Sequence, residues 1–132
     1  MGEEKRKTSK PERLLSIKIV SRGDVWLVDF DPTVGSEIKK KRPAVVVSSD
    51  ALGILPVVVV VPVTDWKESF TKNLWHIKII NDDVNGLDKI SAVDALQIRS
   101  VSTERLAKKL GRTSSTVMEE IVAAIAAVIE YQ

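Results

Sequence analysis

The 132-residue sequence contains no cysteine and a single histidine. The first absence excludes disulfides outright, and the two together exclude the usual zinc frameworks, which draw on several Cys and His side chains. Long hydrophobic runs are missing too. The longest strongly apolar stretch, Leu55 to Val63, falls far short of the ~20 residues needed to cross a bilayer. No apolar stretch of signal-peptide type follows the charged N-terminus, so a soluble cytosolic protein is expected. There is no internal repeat or low-complexity segment. Nor is there a strong excess of one charge, the net value being +2. The first thirteen residues hold five basic groups (Lys5, Arg6, Lys7, Lys10, Arg13) against three acidic ones (Glu3, Glu4, Glu12), an excess that is the whole net charge. A domain coated in positive charge, the footprint of a non-specific nucleic-acid binder, is therefore excluded, and any anion site must be local.

What is present is a β-rich pattern with one change of period. Residues 1–20 read as a flexible charged arm containing Pro11, and residues 21–132 as one domain. In Val25 to Phe30, the residues Trp26, Val28 and Phe30 fall on one face at period two. Asp31 to Gly35 breaks that strand, a lysine-rich loop follows, and Pro43 to Ser48 resumes a β-branched run. Pro43 has no N–H to give to a ladder and suits the first position of its strand. Pro56 to Val63 is nearly all valine and is expected to be a strand buried on both faces. Asp65 to Ser69 reads as a loop. Asn73 to Ile80 alternates, with Trp75, Ile77 and Ile79 inward and His76 and Lys78 outward. Asn81 to Gly86 is a turn cluster, Ser91 to Val101 supports one or two short strands, and Leu106 to Arg112 a further strand or turn. Val117, Ile121, Ala124, Ile125 and Val128 then form one helical stripe, with Thr116 and Glu119 as a candidate capping box and Ser114 and Ser115 as competing caps. The fold class expected is α+β, mainly β: a small SH3-like antiparallel β-barrel closed by a C-terminal amphipathic helix.

Few residues have chemistry to offer. His76 lacks a second histidine for acid–base shuttling and reads as a surface residue. No serine sits in a nucleophile turn, and Gly35-Ser36-Glu37 lacks the ending of a phosphate loop. What remains is Glu37-Ile38-Lys39-Lys40-Lys41-Arg42, one carboxylate beside four consecutive cations. A solvated hairpin tip has the same composition. Arg42, however, abuts Pro43 and the strand, and a guanidinium presents a planar, permanently charged fork to phosphate oxygens.

Four segments carry a resemblance. Arg22 to Glu37 (RGDVWLVDFDPTVGSE) and Arg42 to Ser48 (RPAVVVS) closely match the opening motifs of the MazF/PemK/Kid toxins; Val59 to Thr64 and Gln97 to Val101 resemble the third and fourth. The resemblance spans about residues 20 to 130. It implies an SH3-like barrel, a homodimer, and cleavage of single-stranded RNA that a cognate antitoxin silences. Carried over by position, it implies Glu37, Arg42 and Thr64 as catalytic residues. RNA contacts are expected from Lys39, Lys40, Lys41, Trp66, Gln97 and Arg99. No metal or cofactor is expected, because RNA supplies its own 2′-OH nucleophile. Two departures stand out: Leu96 replaces the acidic residue many relatives carry before the glutamine of the fourth motif, with Asp94 two residues earlier as a substitute, and Ile38 replaces a glutamine. A gyrase poison of the CcdB type and an SH3-like binding module are the rival readings of the same barrel.

Overall fold

In the computed structural model, which describes residues 18–131, the alternating segments become seven strands: β1 (Asp24–Asp29), β2 (Lys41–Val46), β3 (Val57–Asp65), β4 (His76–Ile79), β5 (Ser91–Asp94), β6 (Arg99–Ser102) and β7 (Leu106–Arg112). One helix, α1 (Ser115–Val128), follows. Most of the charged arm, residues 1–17, lies outside the described residues. Every pairing is antiparallel, in the spatial order β4-β5-β3-β2-β1-β7, with β6 joined to β3 off that path. Among the described residues no pairing closes the sheet, so the barrel-like fold is an open, bent sheet.

The bend is built into β3. Val57 to Val60 pair with β6 and Val63 to Asp65 with β5, leaving Val61 and Pro62 without a partner on that edge. Proline there takes no hydrogen bond from the ladder, because the ladder already parts at that point. The chain between β5 and β6, a short 3-10 turn over Ala95–Gln97, crosses this gap.

Two cores result, one on each side of the sheet. On one side Val25, Val45, Val61, Val63, Ile77, Ile79 and Val93 pack with Met118, Ile121 and Ala124 of α1. On the other, Trp26, Val28, Phe30, Ala44, Val46 and Val60 are covered by Val101 and Leu106. The period-two reading of β1 thus holds for Trp26, Val28 and Phe30, and Val25 is buried on the opposite face as well. The helical stripe also holds, with Ser114 as the cap: its hydroxyl accepts from the Val117 N–H at 3.1 Å.

Three expectations need correction. β2 starts two residues before Pro43, because Lys41 and Arg42 pair with Asp29 and Val28; Pro43 is tolerated since pairing with β3 begins only at Ala44. β3 is buried on both faces only from Val60 to Val63: Val57 is exposed, and Val58 is only partly buried, packing against the edge of the second core. His76 does not face solvent, because the turn over Glu68–Lys72 covers that face of β4.

Candidate active site

The register of β2 and β3 places two of the candidates, Arg42 and Thr64, on one face. Ala44 lies opposite Pro62, and Val28 opposite Arg42. Side chains two apart on a strand share a face, so Arg42 and Thr64 both stand on the face of the second core. They lie just beyond the last β2–β3 pair, flanking Pro62. Arg42 is half-buried and makes no ion pair with any described residue, which leaves its charge available to an external anion.

A cleft of about 510 Å³ opens beside Pro62, lined by Ser36, Glu37, Ile38, Leu96, Gln97, Ile98 and Arg99. It occupies the gap where β3 passes from β6 to β5. The Glu37 loop forms one wall and the Ala95–Gln97 turn the other. The Gln97 side chain joins the two walls: its Oε1 accepts from the Ile38 N–H at 2.6 Å and its Nε2 donates to the Ser36 carbonyl at 3.0 Å. Glu37, exposed between these contacts, accepts the Val34 N–H on Oε1 at 2.6 Å. Lys39, Lys40 and Lys41 are exposed beyond it, Lys40 at a positive φ of 67° with its N–H bonded to Asp31 Oδ1 at 3.0 Å. Arg99 lines the cleft with its guanidinium 5.6 Å from the Phe30 ring centroid, a cation–π distance.

Trp66, half-buried, continues the Thr64 face. Its Nε1 donates to Glu68 Oε1 at 3.1 Å and Lys78 Nζ stands 5.1 Å from its ring. Trp26 is a core residue and Trp75 packs against the helix-side core, in agreement with the alternation.

Behind the cleft lies a group that sequence patterns do not reveal. The face of β4 expected to meet water is covered by the turn over Glu68–Lys72, which lays Phe70 flat on His76 with centroids 3.7 Å apart and planes 8° apart. Only 7% of the histidine side chain is exposed. Its Nδ1 meets Asn73 Nδ2 at 3.1 Å and its Nε2 meets Asp94 Oδ2 at 3.5 Å. With the Asn73 amide donating, the neutral ring carries its proton on Nε2, facing the carboxylate. Burial lowers the His76 pKa below 6.5, and Asp94 offsets this only in part. The cross-strand pair His76–Asp94 is the one available signal, and it needs the register in hand. Asp94 is thereby committed: it is buried, faces His76, and accepts the Leu96 N–H at 3.1 Å. The role of stand-in for an acid at position 96 does not suit it, and Leu96 itself, 57% exposed, lines the cleft as an apolar residue.

Among the described residues no cluster of three or more His, Asp or Glu side chains is arranged to hold a metal ion, and no helix is long and apolar enough to cross a membrane. The likeness to known proteins is specific. Residues 21–129 match the family model described as PemK-like, MazF-like toxin of type II toxin–antitoxin system. Endoribonuclease MazF9 of Mycobacterium tuberculosis is 36% identical over 109 residues, covering 78% of this chain and 90% of that relative. Among solved structures, MazF from Deinococcus radiodurans superposes with a TM-score of 0.72 at 22% identity, covering 86% of this chain and 99% of its own. An endoribonuclease from a mycobacterial species, solved with its cognate antitoxin, gives 0.68 at 19% identity, covering 86% and 98%. The fold, the motifs and the extent of the match agree: this chain belongs to the PemK-like, MazF-like toxins of type II toxin–antitoxin systems.

Proposed function

We propose that the chain is an endoribonuclease toxin that cuts single-stranded RNA by transesterification, with Glu37, Arg42 and Thr64 as its catalytic residues. The observation that carries this reading is the shared face of Arg42, free of any described ion pair, and Thr64, beside a cleft whose rim presents Glu37. The ribose 2′-oxygen forms a bond to the adjacent phosphorus and the bond from phosphorus to the 5′-oxygen breaks. The products are a 2′,3′-cyclic phosphate and a 5′-hydroxyl. Glu37 takes the 2′-OH proton as general base, releasing its contact with the Val34 N–H. Arg42 holds the non-bridging oxygens and stabilises the charge that builds on them. The Thr64 hydroxyl donates to the same phosphate and fixes its orientation. The departing 5′-oxygen takes a proton from Lys41 or from water; the arginine pKa is too high for that task. Because the nucleophile belongs to the substrate, DNA is not cut.

Lys39 to Lys41 draw in the RNA backbone, Arg99 lines the path of the strand, and Trp66 offers a stacking face, while the Gln97 amide is already engaged by the Glu37 loop. The chain acts as a homodimer and is held inactive by a cognate antitoxin, an acidic and apolar segment laid over the cationic loop. The name of the relative Endoribonuclease MazF9 supports RNA cleavage, and the mycobacterial endoribonuclease solved with its cognate antitoxin supports an antitoxin partner. The test is cleavage of a long single-stranded RNA in EDTA, with wild type beside Arg42→Ala and Thr64→Ala. Wild-type cuts ending in cyclic phosphate and lost in both variants are expected. Equal cleavage by the variants would misplace the site, and no cleavage by wild type would favour a non-enzymatic toxin on the same barrel.

A further inference from the structure

Glu37 is the group that must take a proton, yet within its own loop it is held only through Val34. Its carboxylate accepts the Val34 N–H at 2.6 Å, and its own N–H donates to the Val34 carbonyl at 3.2 Å. Glu37 gives up the carboxylate contact when it acts as base. It is exposed, it follows Gly35 at a positive φ of 59°, and its carboxylate bonds only to a turn of its own loop among the described residues. A general base works only within hydrogen-bond reach of its proton, and a displacement of about 1 Å can cost about 100-fold in rate. Once the carboxylate contact is released, a second hold from outside the loop is what keeps the backbone of Glu37 in place.

The only side-chain hydrogen bonds from another element to residues 33–40, among the described residues, come from Gln97. Its amide takes the backbone on both sides of Glu37, the N–H of Ile38 and the carbonyl of Ser36, across 59 and 61 residues of sequence. Both ends of the amide are used and the geometry is that of a two-point clamp. The clamp is itself anchored. Asp94 Oδ1 accepts the Leu96 N–H at 3.1 Å and the Ala95 N–H donates to the Trp75 carbonyl at 2.8 Å, so the turn carrying Gln97 is fixed to the end of β5 and to the residue just before β4. The other oxygen of Asp94 faces His76, which Phe70 and Asn73 hold in place. α1 packs against the same turn from the core side.

We propose that Gln97 is a positioning residue that sets the place of Glu37, with Asp94 and His76 as the buried anchor of its turn. The proposal rests on the ribonuclease reading and gives Gln97 a duty different from touching RNA. A side chain that reads RNA changes affinity when removed; one that positions the base changes turnover through Glu37 alone.

The experiment compares wild type, Gln97→Ala, Glu37→Ala and the double variant. Gln97→Ala is expected to lower kcat about 10- to 100-fold with KM within about twofold. Affinity for an uncleavable RNA bearing 2′-deoxyribose at the cleaved position stays unchanged. In the Glu37→Ala background, Gln97→Ala removes nothing more, because residues acting as one unit are not additive. Amide exchange at Ile38 tests the clamp without RNA, and it is expected to accelerate at least about tenfold in Gln97→Ala. Unchanged exchange at Ile38, a full further loss in the double variant, or a loss confined to KM and analogue affinity would each overturn the proposal. If wild type cuts no RNA, the ribonuclease reading falls and takes the catalytic role with it, even with Ile38 still protected. Normal wild-type cleavage with an unaffected Gln97→Ala variant would fell the proposal alone.

Discussion

Two loops of similar polarity are held in opposite ways. The turn over residues 81–86 satisfies itself. Asp82 Oδ1 accepts the N–H groups of Val84 and Asn85 at 2.9 and 2.7 Å, and the Asn85 side chain bonds in return to Asp82, Leu87 and Ile80. Gly86 and Gly111 let it lie directly on β7: a Cβ at Gly86 would come within 2.0 Å of the Leu110 carbonyl oxygen, and one at Gly111 within 2.1 Å of that of Val84. The loop over residues 31–40 has local bonds as well, but its stretch around Glu37 is tied down by Gln97 from the far side of the cleft. A turn of the first kind is shaped by its own side chains and docks on β7 through the Arg112 N–H, which donates to the Val84 carbonyl at 2.9 Å. A loop of the second kind can keep a carboxylate in water, because its anchor is elsewhere.

The sharpest way to separate the two is to damage each and ask which property changes. Glu37→Ala is expected to reduce RNA cleavage by about 10²- to 10⁴-fold, while the urea midpoint stays at the wild-type value because the residue is exposed. Gly86→Ala should do the reverse. Strain at its φ of 70° and a clash with backbone are expected to cost about 2–4 kcal/mol of stability, read from urea unfolding, with kcat per folded molecule unchanged. If Gly86→Ala lowered kcat more than stability, the two loops would not be independent.

The anchor of the second loop gives the comparison a pH dependence. The His76 pKa is lowered in the folded state, burial being the main cause. The unfolded chain therefore binds the proton more readily, and the stability contributed by neutral His76 is present above pH ~6.5 and lost as pH falls through the lower folded value. Unfolding midpoints followed across the range from about pH 8 down to about pH 5 should fall in wild type and fall less in His76→Gln. An equal fall in both would assign the acid sensitivity to other groups. The smallest effect belongs to the loop's cations. Lys39→Ala or Lys40→Ala should leave kcat in place and flatten the salt dependence of RNA binding, by about 0.7 in logarithmic slope for each phosphate no longer neutralised.

The same contrast explains which features are legible in the sequence. The 81–86 turn, the period-two face of β1 and the stripe of α1 can be read there because each depends on neighbours in sequence. Arg42 and Thr64 can be named from motifs, but that they flank Pro62 on one face follows from the β2–β3 register. Alternation misplaces His76 because it says only that the ring points away from Ile77; the turn that covers it with Phe70 is a tertiary fact. Asp94 looks like a spare carboxylate in sequence, whereas in the fold its oxygens are engaged by His76 and the Leu96 N–H.

By itself the sequence determined the strand and helix periods, the absence of cysteine chemistry, and the motifs that place this chain among its toxin relatives. Those properties depend on residue type and on spacings of a few residues. The tertiary structure decided which side chains meet: the split of β3 at Pro62 that opens the cleft, the clamp of Gln97 on the Glu37 loop, and the burial of His76 against Asp94. Such contacts join residues far apart in the chain, and only the register of the folded sheet specifies them.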